Sequence, residues 1–196
     1  LLKDIRPGNV SSGIQFITAI GDKIYFTAND GEHGTELWVS QGTQPSTKMV
    51  ADLREGIQWG VSSDPRSFVF FQGLLYFNGW DEGSGYELLK LDPENDEISL
   101  VKDVFPGSNS NNIFPNSSSP SQLTAAEDFI YFKATTADNG SELWGTDGTN
   151  AGTQLIKDIR EGVSGSQIFD IRTFNNNIAC FTADDGVNGR ELWISL

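Results

Sequence analysis

Cysteine, methionine and histidine each occur once in these 196 residues, and the shortage of each removes a class of explanation. With Cys180 alone, no intrachain disulfide and no paired-cysteine metal or redox site can form. His33 is isolated as well, so a Ser-His-Asp set cannot be assembled with any assurance. Lys and Arg are scarce, 13 against 27 Asp plus Glu, and the formal charge of −14 argues against nucleic acid and anionic membrane surfaces as partners. No stretch approaches the roughly 18 apolar residues of a membrane span, and the opening Leu1-Leu2-Lys3-Asp4 has no signal-peptide pattern, so the chain reads as a mature or excised segment. Phe (13), Trp (5) and Gly (21) are plentiful, a balance that suits strands and tight turns and makes all-β the starting expectation.

One phrase occurs four times, as Gly34-Thr35-Glu36-Leu37-Trp38, Gly85-Tyr86-Glu87-Leu88-Leu89, Gly140-Ser141-Glu142-Leu143-Trp144 and Gly189-Arg190-Glu191-Leu192-Trp193. Its glutamates stand 51, 55 and 49 residues apart, and the aromatic positions Phe26, Phe77, Phe132 and Phe181 keep the same intervals. Length varies only after a third phrase, Lys3-Asp4-Ile5, Ala51-Asp52-Leu53, Lys102-Asp103-Val104 and Lys157-Asp158-Ile159. Within one copy, apolar runs over 16–20, 23–28, 35–40 and 48–53 are separated by turns of hairpin length. Four antiparallel strands per repeat of about fifty residues predict a four-bladed β-propeller, one domain over 1–196. Its blades fall at about 14–53, 67–104, 122–159, and 168–196 plus 1–5. The last copy has three strands and the chain opens on a lone fourth, so residues 1–5 are expected to pair with 190–195 and close the ring.

The third copy, Glu142-Leu143-Trp144-Gly145-Thr146-Asp147-Gly148-Thr149, resembles the ELWxxDGT repeat of bacterial, often secreted, multi-repeat proteins. The first copy departs with Gln41, and the second with Leu89 and the turn Asp92-Pro93-Glu94-Asn95-Asp96. The resemblance implies a propeller outside the cell and brings no catalytic residues with it.

Recurrence makes the four glutamates architectural, strand carboxylates paired to a cation or to backbone. The aspartates Asp4, Asp52, Asp103 and Asp158 are expected to cap turns. The second hairpins gather acids and glycines, making Asp30, Glu32, Asp81, Glu82, Asp138, Asp184 and Asp185 the candidate calcium ligands and calcium the one candidate cofactor. Asp-Gly is equally the vocabulary of a tight turn. Antiparallel topology puts these hairpins at the same end as the inter-blade loops, so Arg6, Arg54, Trp59, Trp80, Phe114 and Arg160 form the candidate ligand face. The sequons at Asn9, Asn116 and Asn139 fit exposed loops. The expected function is a secreted or cell-surface binding module for a protein or glycan, and more an interaction module than an enzyme. A hydrolase or lyase acting at the channel and a structural module of a larger assembly are the competing classes.

Overall fold

The structure is a computed structural model and describes residues 1–55, 62–109, 111 and 113–195. Fifteen strands make four antiparallel sheets, and no helix occurs among the described residues. The first sheet comprises β1 (Gln15–Ile20), β2 (Lys23–Asn29), β3 (Thr35–Ser40) and β4 (Lys48–Ala51). The second holds β5 (Arg66–Phe71), β6 (Leu74–Asp81), β7 (Gly85–Asp92) and β8 (Glu97–Lys102). The third holds β9 (Ser121–Ala125), β10 (Ile130–Thr136), β11 (Gly140–Thr146) and β12 (Gln154–Lys157), and the fourth β13 (Phe169–Phe174), β14 (Ile178–Asp184) and β15 (Arg190–Ile194). Each sheet is a meander in chain order, as its hairpin-length turns require.

Apolar cores lie between successive sheets. Tyr25, Leu37 and Val39 of the first meet Leu75, Phe77, Leu89 and Leu91 of the second. Leu88 and Val101 meet Ile130, Phe132 and Trp144, and Tyr131 and Leu143 meet Ile171, Ala179 and Phe181. Two of the repeated tryptophans fill the space between sheets, Trp144 buried and Trp193 half-buried, whereas Trp38 is buried on the first sheet beneath Ile5. At the opposite end from the acidic hairpins, the second sheet's divergent turn gains a role of its own. Lys23 Nζ of the first sheet donates to Asp96 Oδ1 at 2.9 Å and Tyr25 Oη donates to the same oxygen at 3.0 Å.

Each sheet begins the same way, through a β-bulge in its first strand. Two residues three apart take left-handed backbone there. They are Gly13 and Phe16, Asp64 and Ser67, Ser119 and Gln122, and Gln167 and Asp170, with φ between 41° and 61°. Only one of these eight positions is glycine, so the chain accepts this conformation at a cost of about 1 kcal/mol or more per residue.

The expected ring closure is not made. β15 has no fourth strand beside it, and residues 1–5 are not in a strand. They lie on the outer face of the first sheet, where Ile5 is buried with Phe26, Ala28 and Trp38 and Lys3 Nζ donates to the Thr47 carbonyl at 2.6 Å. The first strands touch in succession, β1 on β5, β5 on β9 and β9 on β13. At one end of this series β1 is largely exposed.

Candidate functional site

The recurring glutamates are buried clasps between sheets. Glu87 Oε1 accepts the Ser118 N–H at 2.7 Å, and its Oε2 accepts the Ser118 hydroxyl at 2.5 Å and the Val104 N–H at 3.3 Å. Glu36 repeats the set with Ser63 and Leu53, and Glu142 with Ser166 and Ile159. Each carboxylate thus ties the end of its own sheet's fourth strand to the connection entering the next sheet. All three are shut off from solvent. Burial pushes Glu36 and Glu87 up to about 7 against the pull of the serine and backbone donors, and raises Glu142 in the same way. Glu191 is exposed and makes no such set of bonds among the described residues. The backbone half of this arrangement was legible as a strand carboxylate paired to backbone. The serines were not, because they stand 27, 31 and 24 residues from their glutamates in otherwise unlike loops.

Within the expected ligand face, Arg54 and Trp80 meet. The Arg54 guanidinium lies 4.0 Å from the Trp80 ring centre, and Trp80 is itself buried, edge-on to Tyr86 at 5.2 Å, with its Nε1 donating to Glu82 Oε2 at 3.2 Å. Arg6 lies along Gly31 and Arg160 along Gly186, so close that a Cβ at either glycine would stand 3.2 or 3.1 Å from the arginine Nε. Each arginine follows the last residue of a fourth-strand phrase and rests on the second hairpin of the following sheet, an inter-sheet packing role. Phe114 is half exposed in the connection between the second and third sheets, where Asn109 N–H donates to its carbonyl at 2.9 Å. Trp59 lies outside the described residues.

The acids of the second hairpins bond to their own turns. Asp30 Oδ1 accepts the N–H groups of Glu32 and His33 at 2.9 Å, and its Oδ2 lies 2.7 Å from His33 Nδ1. Burial alone would raise Asp30, yet these donors hold it below the usual carboxylate range, and the same contact raises His33. The Asn188 and Val187 N–H groups hold Asp185 low. Asp184 caps Gly186 at 2.7 Å and Asp81 caps Gly83 at 3.2 Å. Glu32 and Asp138 point outward on their turns. Among the described residues no three of His, Cys, Asp or Glu are grouped to hold a metal ion.

A concave site does exist at this end, in a cleft of about 590 Å³ between the first and second sheets. Ser11, Ser12 and Gly13 enter it from the connection into β1, Asn29 and Thr35 from the flanks of the second hairpin, and Asp64, Pro65 and Arg66 from the connection into β5. Arg6 supplies a second guanidinium and Phe16 an exposed ring, held there by the first bulge. Of the expected face, Arg6 alone among the described residues lines this cleft. Phe16, Asp64 and Arg66 were missed. Their one signal is position, directly after the variable loops, and nothing in their residue types repeats.

No protein-family model matches the chain, and no curated protein does. Solved structures resemble it. One, from a study of two prolyl endopeptidases and the role of inter-domain dynamics in their catalysis and specificity, aligns over 94% of this chain and 28% of its own, with a TM-score of 0.55 and 11% identity. Puromycin hydrolase aligns over 97% of this chain and 31% of its own, with a TM-score of 0.52 and 11% identity. An endo-arabinase from Bacteroides thetaiotaomicron is a looser match, with a TM-score of 0.41 and 12% identity over 91% of this chain and 72% of its own. The chain spans less than a third of the first two structures, and at such identity the likeness concerns the fold.

Proposed function

We propose that the four sheets are propeller blades of the ELWxxDGT-repeat type and that the chain is a non-enzymatic carbohydrate-binding module acting outside the cell. The cleft between the first two sheets is its binding site, and acidic glycans are its ligand class. The observation that carries this reading is the cleft's lining, in which Arg6, Arg66 and the exposed Phe16 stand with the amides and hydroxyls of Gln15, Asn29, Ser11 and Thr35 and one carboxylate, Asp64. Sugar faces stack on a ring such as Phe16, and a planar guanidinium binds a carboxylate through paired N–H donors. Arg6 and Arg66 are the residues assigned to a uronate carboxylate, with Gln15, Asn29 and Ser11 serving ring hydroxyls. The propeller reading is supported by the four chain-ordered meanders and the fourfold bulge. The binding role is favoured over chemistry because the buried glutamates, the most perturbed acids described, spend their oxygens on serine and backbone donors at sheet interfaces.

The test is a glycan array followed by titration calorimetry on its best ligand. Binding to uronate-containing oligosaccharides is expected, weakened at least tenfold by Arg66→Ala and by Arg6→Ala. Absence of any uronate ligand, or affinity indifferent to both substitutions, would overturn the assignment.

A further inference from the structure

The third and fourth sheets meet over one aromatic ring that carries two cations. Phe169 is 53% exposed, with the Arg190 guanidinium 4.9 Å from its ring centre and the Lys133 ammonium 5.7 Å away. Lys133 belongs to β10, Phe169 to β13 and Arg190 to β15, so the group spans the interface between the two sheets. Arg190 is held from one side, its Nη1 donating to the Gln167 carbonyl and its Nη2 to Gln167 Oε1 at 3.2 Å each. Those two bonds leave three of the five N–H donors of a guanidinium without a partner among the described residues.

Lys133 breaks the pattern of its own repeat. Opposite the entry of the first strand the other sheets carry uncharged residues, Thr27 facing Gln15, Asn78 facing Arg66 and Thr182 facing Phe169, whereas Lys133 faces Ser121. The three uncharged side chains donate to the carbonyls of Gln15, Pro120 and Phe169. The half-buried Lys133 ammonium makes no hydrogen bond and no ion pair among the described residues, and reaches the Phe169 ring instead. An ammonium partly withdrawn from water without an acceptor, beside a second cation, is destabilising, and the ring's negative face offsets part of that cost. An anion seated against both cations offsets the remainder.

The strand register puts this group at the same end of the array as the cleft. Phe169 holds the place of the cleft residues Gln15 and Arg66, and Arg190, opposite Asp184, holds that of Thr35, opposite Asn29. The group is independent of any strand beside β15. In the complete sheets the fourth strand pairs from Leu37, Leu88 and Leu143 onward, two residues beyond Thr35, Tyr86 and Ser141, the counterparts of Arg190.

We propose that Lys133, Arg190 and Phe169 form a second anion site, and that it takes a carboxylate-bearing sugar of the same uronate chain that the cleft holds. The identity of that polymer rests on the reading of the cleft, and the site itself on the two cations without an anion. The ammonium and the free guanidinium donors take the carboxylate, while the exposed part of the Phe169 ring covers an apolar sugar face. With both sites on one end of one chain the second contact is intramolecular, so long oligomers gain affinity that short ones do not.

The test is titration calorimetry with digalacturonate and with a long oligogalacturonate. The variant is Lys133→Thr with Arg190→Thr, which installs the residues that the first sheet carries at these places. The wild-type chain is expected to bind two digalacturonates and the double variant one, at the cleft, while the variant's affinity for the long oligomer falls at least tenfold. Its retained cleft binding shows that it is folded, and Arg190→Thr alone, at an exposed position, is expected to weaken the long oligomer as well. A single digalacturonate per chain, abolished by Arg66→Ala and untouched by the double variant, would overturn the second site and leave the cleft standing. A single one abolished by the double variant and untouched by Arg66→Ala would do the reverse. Affinity for the long oligomer unchanged in the double variant would overturn the proposal, and absence of any binding would overturn both sites.

Discussion

Replacing Glu87 by Gln tests the clasp through its proton. The carboxyl is ordinarily half-protonated near 4.5 and is pushed up to about 7 in the fold, chiefly by burial. Below pH 4.5 folded and unfolded chains both hold the proton, and the group's stabilising contribution is fully present. Between 4.5 and 7 the unfolded chain has released it and the folded chain has not, so stability falls as pH rises. Above 7 both are ionised and the contribution is lost. At about 1.4 kcal/mol per pH unit, the loss between pH 5 and pH 8 is on the order of 2 to 3 kcal/mol for this one residue. Gln cannot titrate, so the cost of Glu87→Gln is expected to be larger at pH 5 than at pH 8 by that amount, whatever the other carboxylates do. Urea unfolding of both proteins at the two pH values gives the difference directly. An equal cost at both would refute the reasoning and mean that the serine and N–H donors fully offset burial, and a larger cost at pH 8 would mean that they outweigh it.

Trp144→Ala is expected to cost about 3 to 5 kcal/mol in the same assay, since the ring is buried between the second and third sheets with Phe132 and Val104; a cost within about 0.5 kcal/mol would place it at the surface instead. Asp170→Gly should raise stability by about 0.5 to 1 kcal/mol, because Asp170 is left-handed at φ 55° and its exposed carboxylate has Arg172, also exposed, as its ion-pair partner at 3.7 Å. Loss of stability there would show that the aspartate itself holds the bulge.

How far the fold could be read in advance depended on what each position constrains. A buried strand carboxylate answering three donors tolerates no other residue type easily, so Glu36, Glu87 and Glu142 repeat and betray the period. The apolar runs repeat for the same reason, since each fills a core between sheets. The left-handed pairs constrain φ and not chemistry, so Gly13, Asp64, Ser119 and Gln167 occupy one position and Phe16, Ser67, Gln122 and Asp170 the other, and no repeat search finds them. The cleft inherits this invisibility, because Phe16 and Arg66 are set by a bulge and a loop. The arginines illustrate the converse case. Arg6, Arg54 and Arg160 do recur, after Ile5, Leu53 and Ile159, and each rests on the next hairpin, Arg6 against Gly31, Arg160 against Gly186 and Arg54 against Trp80. Closure failed for a third reason. Strand pairing is written in each repeat, whereas whether the last sheet reaches the first depends on packing between sheets, which none of the repeated phrases encodes.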